Sequence, residues 1–195
     1  GAELDKVAII DLRGSSNHEI HTDYHSWGMR QRLINANGHA DNHVIWSSPV
    51  PLIPTPAMAD QSFDLLDAWL TAVEADSRNL PLEQKIAEHK PAEAVDACFL
   101  AEQKITDAAV CENAVPYFAS PRLVAGMPIS HDIAQCQLKP LDAADYAGAL
   151  PPLTDADLER LRAVFPDGVC DYSKPGIGQQ ANVPWLSFAA GPGGQ

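Results

Sequence analysis

The first clear pattern in the chain is a continuous apolar run, Val7 to Ile10 in "KVAIIDLRG", which gives way to polar residues and ends at Gly14. A run of that kind reads as a buried strand leading out into a loop. Helical spacing follows in "SWGMRQRLINANG", where Met29 and Leu33 stand four apart with Ile34 beside them, and Asn37-Gly38 supplies a left-handed C-terminal cap. "HVIWSS" is a second short strand. "PVPLIPTP" can be neither helix nor central strand, because proline lacks an amide hydrogen, so it predicts an extended surface connection. The most regular segment is "DQSFDLLDAWLTAVEAD", which places Phe63, Leu66, Trp69, Leu70 and Val73 on one face and offers Asp60 or Ser62 as the cap.

Strand, loop, helix, strand, long loop, helix is the alternation of an α/β protein with a mostly parallel sheet and covering helices. Two strands alone have edges on both sides and a half-covered apolar face, so the pattern predicts further strands from a longer parent chain or from a second subunit. From about Leu80 the character changes to short pieces, prolines and cysteines. The chain thus divides into residues 1–79, part of a parallel sheet with its helices, and residues 80–195, an irregular cysteine-containing extension packed on that core. One more helix is predicted in the extension at "TDADLERLRAVFP", with Thr154 as cap, Leu158, Leu161 and Phe165 on one face and Pro166 as the stop.

Composition is that of an ordinary globular chain, 46% apolar and 20% charged over 195 residues. The charge balance changes the picture more: 13 Lys and Arg against 26 Asp and Glu leave a net charge of −13, which repels phosphate backbones and anionic lipid surfaces. Nucleic acid and membrane partners are therefore disfavoured, and no apolar run reaches the roughly 18 residues that a membrane span needs. The four cysteines include no C-x-x-C pair that would suggest zinc or thiol redox chemistry. An even count in loop-rich surroundings predicts bridges Cys98 to Cys111 and Cys136 to Cys170, and with them a secreted or periplasmic location. Four buried free thiols are the alternative.

"RGSSNHEI", placed after a buried strand, is similar to the H-G-x-x-D-x-x-I loop of α/β-hydrolases such as tannases and feruloyl esterases, with Asn17 at the position of the triad aspartate. "FDLLDAWLTAVEAD" looks like the final helix of those enzymes. The run "CQLKPLDAADY…LTDADLERLRAVFPDGVCDYSKPGIGQ" resembles the tail of a bacterial family of large, exported, tannase-like proteins carried as a domain of unknown function. The resemblance implies a C-terminal portion of an α/β-hydrolase that cleaves esters or, second to that, amides. No cofactor is implied. The G-x-S-x-G elbow that presents a hydrolase serine is missing from the sequence, so the nucleophile is expected on the N-terminal remainder or on a second subunit.

Candidate chemistry concentrates in "NHEIHTDYH", which holds three of the seven histidines. The loop leaves the carboxyl end of a predicted parallel strand, where α/β sheets place their ligands. A hydrolase base needs a neutral imidazole with an acid on its far nitrogen. His21 and His25 are the candidates for that base, with Glu19, Asp23 or Asp11 as the orienting acid. His39 and His43 precede the second strand and lie at its wrong end. A zinc site from His18, His21, Asp23 and His25 is an alternative, although the spacing lacks H-E-x-x-H. The bland reading is a polar loop held by its own hydrogen bonds. Arg30 and Arg32 on the following helix are expected to pair with surface acids, the alternatives being to orient acids or bind a carboxylate substrate. His89 is expected to lie on the surface, His131 to bond a backbone group, and Trp46, Trp69 and Trp185 to sit in the core.

Overall fold

In the computed structural model the described residues are 4–14, 22, 24–50, 54–116, 119–149 and 151–180. A four-stranded sheet runs in the order β1 (Ile9–Gly14), β2 (His43–Ser48), β3 (Ala97–Leu100) and β4 (Gln103–Ile105). The first three strands are parallel neighbours and β4 turns back antiparallel. Helix α1 (Tyr24–Asn37) connects β1 to β2, while α2 (Pro56–Ala75) and α3 (Leu82–Glu88) connect β2 to β3. Helix α4 (Ala108–Ala114) follows β4, and α5 (Pro121–Val124) follows that. A separate antiparallel pair, β5 (Gln137–Lys139) and β6 (Val169–Asp171), brackets α6 (Asp155–Val164). The expected partly parallel α/β sheet with covering helices is thus present, and two of its strands are ones that the hydrophobic pattern did not predict.

Those two strands, "ACFL" and "QKI", are too short to show alternation, and they fall beyond residue 80. The turn between them explains the rest. Ala101 (φ 47°) and Glu102 (φ 67°) both adopt left-handed backbone, as a tight hairpin requires, but neither is the glycine or asparagine that marks such turns in a sequence. Glu102 gains a role from this position: its carboxylate accepts the Ala57 amide hydrogen at 2.8 Å in the first turn of α2.

The sheet has two unlike faces, because side chains alternate along each strand and the parallel register keeps alternates together. Ala8, Ile10, Leu12, Val44, Trp46, Ala97 and Phe99 face α2 and α3, where Met58, Trp69, Val73 and Ile86 close the core. Both tryptophans satisfy their indole donors inside it, Trp46 on the Val95 carbonyl at 2.9 Å and Trp69 on the Ile86 carbonyl at 2.8 Å. Trp185 lies outside the described residues. The face of α2 differs from the expected one. The helix starts four residues earlier than Asp60, with Thr55 as cap accepting from the Met58 amide and Pro56 in the first turn. Met58, Ser62, Trp69 and Val73 are therefore buried, while Phe63 is 72% exposed and Leu70 also faces solvent.

The other face, Ile9, Asp11, Arg13, His43, Ile45 and Ser47, is covered by α1 and is largely polar. Gly38 (φ 83°) ends α1 as expected, its amide hydrogen bonding to the Ile34 carbonyl at 2.8 Å. Gly28 serves a different need, because a Cβ there would stand 2.8 Å from the Ile129 carbonyl oxygen. Backbone cannot give way as a side-chain tip can. Gly28→Ala is expected to destabilise the protein by about 1–3 kcal/mol, the usual cost of overpacking, read from the denaturation midpoint.

Both expected disulfides are present. Cys98–Cys111 staples β3 to α4, and Cys136–Cys170 ties the start of β5 to β6. The first joins regular elements rather than closing an irregular loop. Chain-entropy reasoning for spans of 13 and 34 residues gives about 3 to 4 kcal/mol per bridge. Replacing either cysteine pair by alanine is expected to lower stability by that order in a denaturant titration, with the longer span costing slightly more. In α6, Thr154 is the cap as expected, in a capping box that Asp157 completes, and Leu158 is buried, but Phe165 at the C-terminal end is exposed.

Candidate active site at the carboxyl edge of the sheet

A helix that follows a parallel strand begins at that strand's carboxyl end, so α1 starts at the edge where such sheets bind ligands. Of the candidate residues, His18, Glu19, His21 and Asp23, together with Asn17, lie outside the described residues. His25 is described, and it is exposed in the first turn of α1. Its ring centroid is 4.1 Å from that of Tyr24, which lies 5.2 Å from His131.

His131 was expected to bond a backbone group, and its ring instead meets a side chain, Ser120 Oγ at 3.1 Å from Nε2. Ser120 caps α5 by accepting the Leu123 amide hydrogen, so its hydroxyl proton is free to be donated to the imidazole. Burial holds the His131 ring below the usual histidine range, and the nearby His25, Arg32 and Arg122 push in the same direction. The shift favours the neutral ring, in which Nε2 can accept the Ser120 proton. The backbone of His131 is left-handed (φ 54°), and its carbonyl accepts from Arg32 Nη2 at 3.0 Å. Arg32 also bonds the Ser130 carbonyl, so it ties α1 to this segment rather than orienting an acid. Nothing in the sequence marks Ser120 and His131 as neighbours, since the fold brings together two stretches eleven residues apart.

Beneath α1 lies a second polar cluster that includes Asp11. Its carboxylate faces Arg13 Nε at 3.2 Å and the buried His43 Nε2 at 3.7 Å. The second distance exceeds a hydrogen bond, so that attraction is electrostatic. Arg30 Nε donates to His43 Nδ1 at 3.2 Å, and since a guanidinium can only donate, the imidazole proton sits on Nε2, toward Asp11. Arg30 also grips Asp96 with two bonds of 2.5 and 2.7 Å, and Asp96 accepts the Ile45 amide hydrogen at 2.9 Å. Arg30 therefore does orient an acid, but one 66 residues away, and the effect is to lock α1, β2 and the entry to β3 together. Asp11 serves this cluster with His43.

On the far side of the molecule, His89 is 2.8 Å from Asp76, which also pairs with Arg78. His89 was expected on the surface and is partly covered in this ion-pair group.

The acids give a pH dependence with a definite sign. Burial alone would raise the Asp11 carboxyl, but His43, Ser26 and Arg13 hold it below its ordinary value, and Arg30 with the Ile45 amide does the same against burial for Asp96. Asp171 is held to about 2 by Ser173 and Lys174. An acid depressed in the fold contributes stability that is complete above the unfolded value near 3.9 and is lost as pH falls through the folded one. Thermal midpoints are expected to fall between about pH 4 and pH 2, and Asp171→Asn is expected to remove part of that fall.

Among the described residues no group of three His, Cys, Asp or Glu is arranged to hold a metal ion, and no helix is long and apolar enough to cross a membrane. What the described residues define is a mixed α/β protein with a partly parallel sheet, two disulfides and a histidine-bearing carboxyl edge. The chain belongs to a tannase-like family of unknown function (DUF6351), whose profile matches residues 1–181. No curated protein matches the chain, and no solved structure does.

Proposed function

We propose that the chain carries the histidine-bearing part of a carboxylic ester hydrolase of α/β-hydrolase type. The observation behind this reading is the position of His25 in the first turn of α1 at the carboxyl edge, with its ring 4.1 Å from that of Tyr24, which in turn neighbours His131. Membership of a tannase-like family supports the same class of chemistry. In this reading His21 is the general base. Its neutral ring takes the proton of a serine hydroxyl as the oxygen attacks the ester carbonyl, and Glu19 or Asp23 holds the tautomer through the far nitrogen. The same proton then goes to the leaving alkoxide. His25 flanks the base. The serine comes from a segment outside these 195 residues, either the N-terminal remainder of the protein or a second subunit, docked along β1, which pairs only with β2 among the described residues. The two disulfides support a secreted or periplasmic location.

The test is ester hydrolysis by the complete protein with and without a chelator. Turnover that survives chelation supports the serine mechanism, and turnover lost with chelation and restored by zinc would favour the His18, His21, Asp23 and His25 metal reading instead. The open edge of β1 also fits a non-catalytic accessory subunit that completes a partner's sheet, and complete protein without any ester turnover would favour that reading.

A further inference from the structure

Between α1 and α4 the polar face of the sheet leaves a cavity of about 440 Å³, within the range of small-molecule sites. The strands supply its floor with Ile45 and Cys98, whose disulfide to Cys111 on α4 forms part of the wall, and Trp27, Val115 and Ile129 add apolar surface. Its polar lining is one-sided: Ser47 and Thr106 hydroxyls and the carboxylates of Asp96 and Glu112, with no Lys, Arg or His among the described lining residues. Asp96 is already neutralised by Arg30. Glu112, exposed on α4, makes no ion pair among the described residues and leaves one uncompensated negative charge at the cavity. An anion would enter without a cationic partner among the described residues, against a net charge of −13.

We propose that this cavity binds a small apolar molecule bearing a primary ammonium group, with its body against Ile45, Val115, Ile129 and the disulfide and its cation at Glu112 and Thr106. Trp27 fits the assignment, since its ring already draws the Arg30 guanidinium to 5.0 Å from its centroid. The site does not use the Tyr24 and His131 cluster, and it stands or falls independently of ester hydrolysis.

Three probes that share one body separate the alternatives: cyclohexylmethylamine, cyclohexylmethanol and cyclohexanecarboxylate, titrated calorimetrically into the complete protein at low ionic strength. The amine is expected to bind saturably and roughly fivefold tighter than the alcohol, the increment of one partly exposed charge pair, with no binding of the carboxylate. Glu112→Gln is expected to bring the amine to the level of the alcohol and leave the alcohol unchanged. Ala108→Trp, which fills the cavity from an exposed position at the start of α4, is expected to abolish both. No saturation at millimolar amine, equal binding of amine and alcohol, or binding of the carboxylate would overturn the proposal. So would amine binding that persists unchanged in a folded Ala108→Trp protein, or in Glu112→Gln.

Discussion

His21→Ala in the complete protein is expected to lower kcat for ester hydrolysis by about 10⁴-fold with little change in KM, because members of a nucleophile and base unit fail together when one is removed. Loss of the base leaves binding and any oxyanion contacts in place, which is why the effect belongs in kcat. His25→Ala is expected to cost far less. Its ring is exposed and lies tilted against Tyr24, and in the proposed mechanism it is not the group that takes the serine proton. Glu19→Gln and Asp23→Asn tell the two orienting acids apart, since only the one bonded to the imidazole lowers kcat substantially. His18→Ala is expected to leave turnover near the wild-type level. If His21→Ala keeps near-full turnover in folded protein, the loop is scaffolding and the assignment of the base is wrong.

Trp69→Ala is expected to be among the most destabilising single substitutions in the described core. The side chain is fully buried under the sheet, and its indole hydrogen bonds the Ile86 carbonyl at 2.8 Å. Truncation leaves a large cavity between α2, α3 and the sheet and deprives that carbonyl of its donor, for a loss of about 3–5 kcal/mol. In a chain of this length that corresponds to a drop of roughly 10 °C in Tm. Phe63→Ala, six residues earlier on the same helix, is expected to change Tm very little, since Phe63 is 72% exposed. A large effect at Phe63 with a small one at Trp69 would mean that α2 presents the opposite face to the core.

The contrast between those two residues shows where the sequence was readable. Periodicity located α2 and its Trp69 and Val73 contacts, but the helix extends back to Pro56, and Phe63 falls on the flank once the phase is set by Met58 and Ser62. β1, α1 and β2 were legible because each carries its own local signal: an apolar run, a helical repeat and the Asn37-Gly38 stop. β3 and β4 carry none. Each is three or four residues long, and the turn between them places alanine and glutamate in left-handed backbone that a sequence reading assigns to glycine or asparagine. The cysteine pairing was legible from count and surroundings, although the elements that the bridges connect were not.

For the site, the loop after β1 announces itself by its density of histidines, whereas the partners that the fold brings together do not. Arg30 with Asp96 and Ser120 with His131 join stretches 66 and 11 residues apart, and no local spacing encodes either pair. His43 looked misplaced for catalysis, at the amino end of its strand. The structure places it in the first position of β2, buried between Asp11 and Arg30, where it holds α1 to the sheet.

The proposal that this chain completes a serine ester hydrolase is tested most directly by treating the complete protein with a fluorophosphonate and mapping the adduct by mass spectrometry. The predicted result is one modified serine outside these 195 residues, formed rapidly in the wild type, slowed by orders of magnitude in His21→Ala, and unaffected by a chelator. Absence of any serine adduct in protein that hydrolyses esters, or an adduct that forms equally fast without His21, would contradict it.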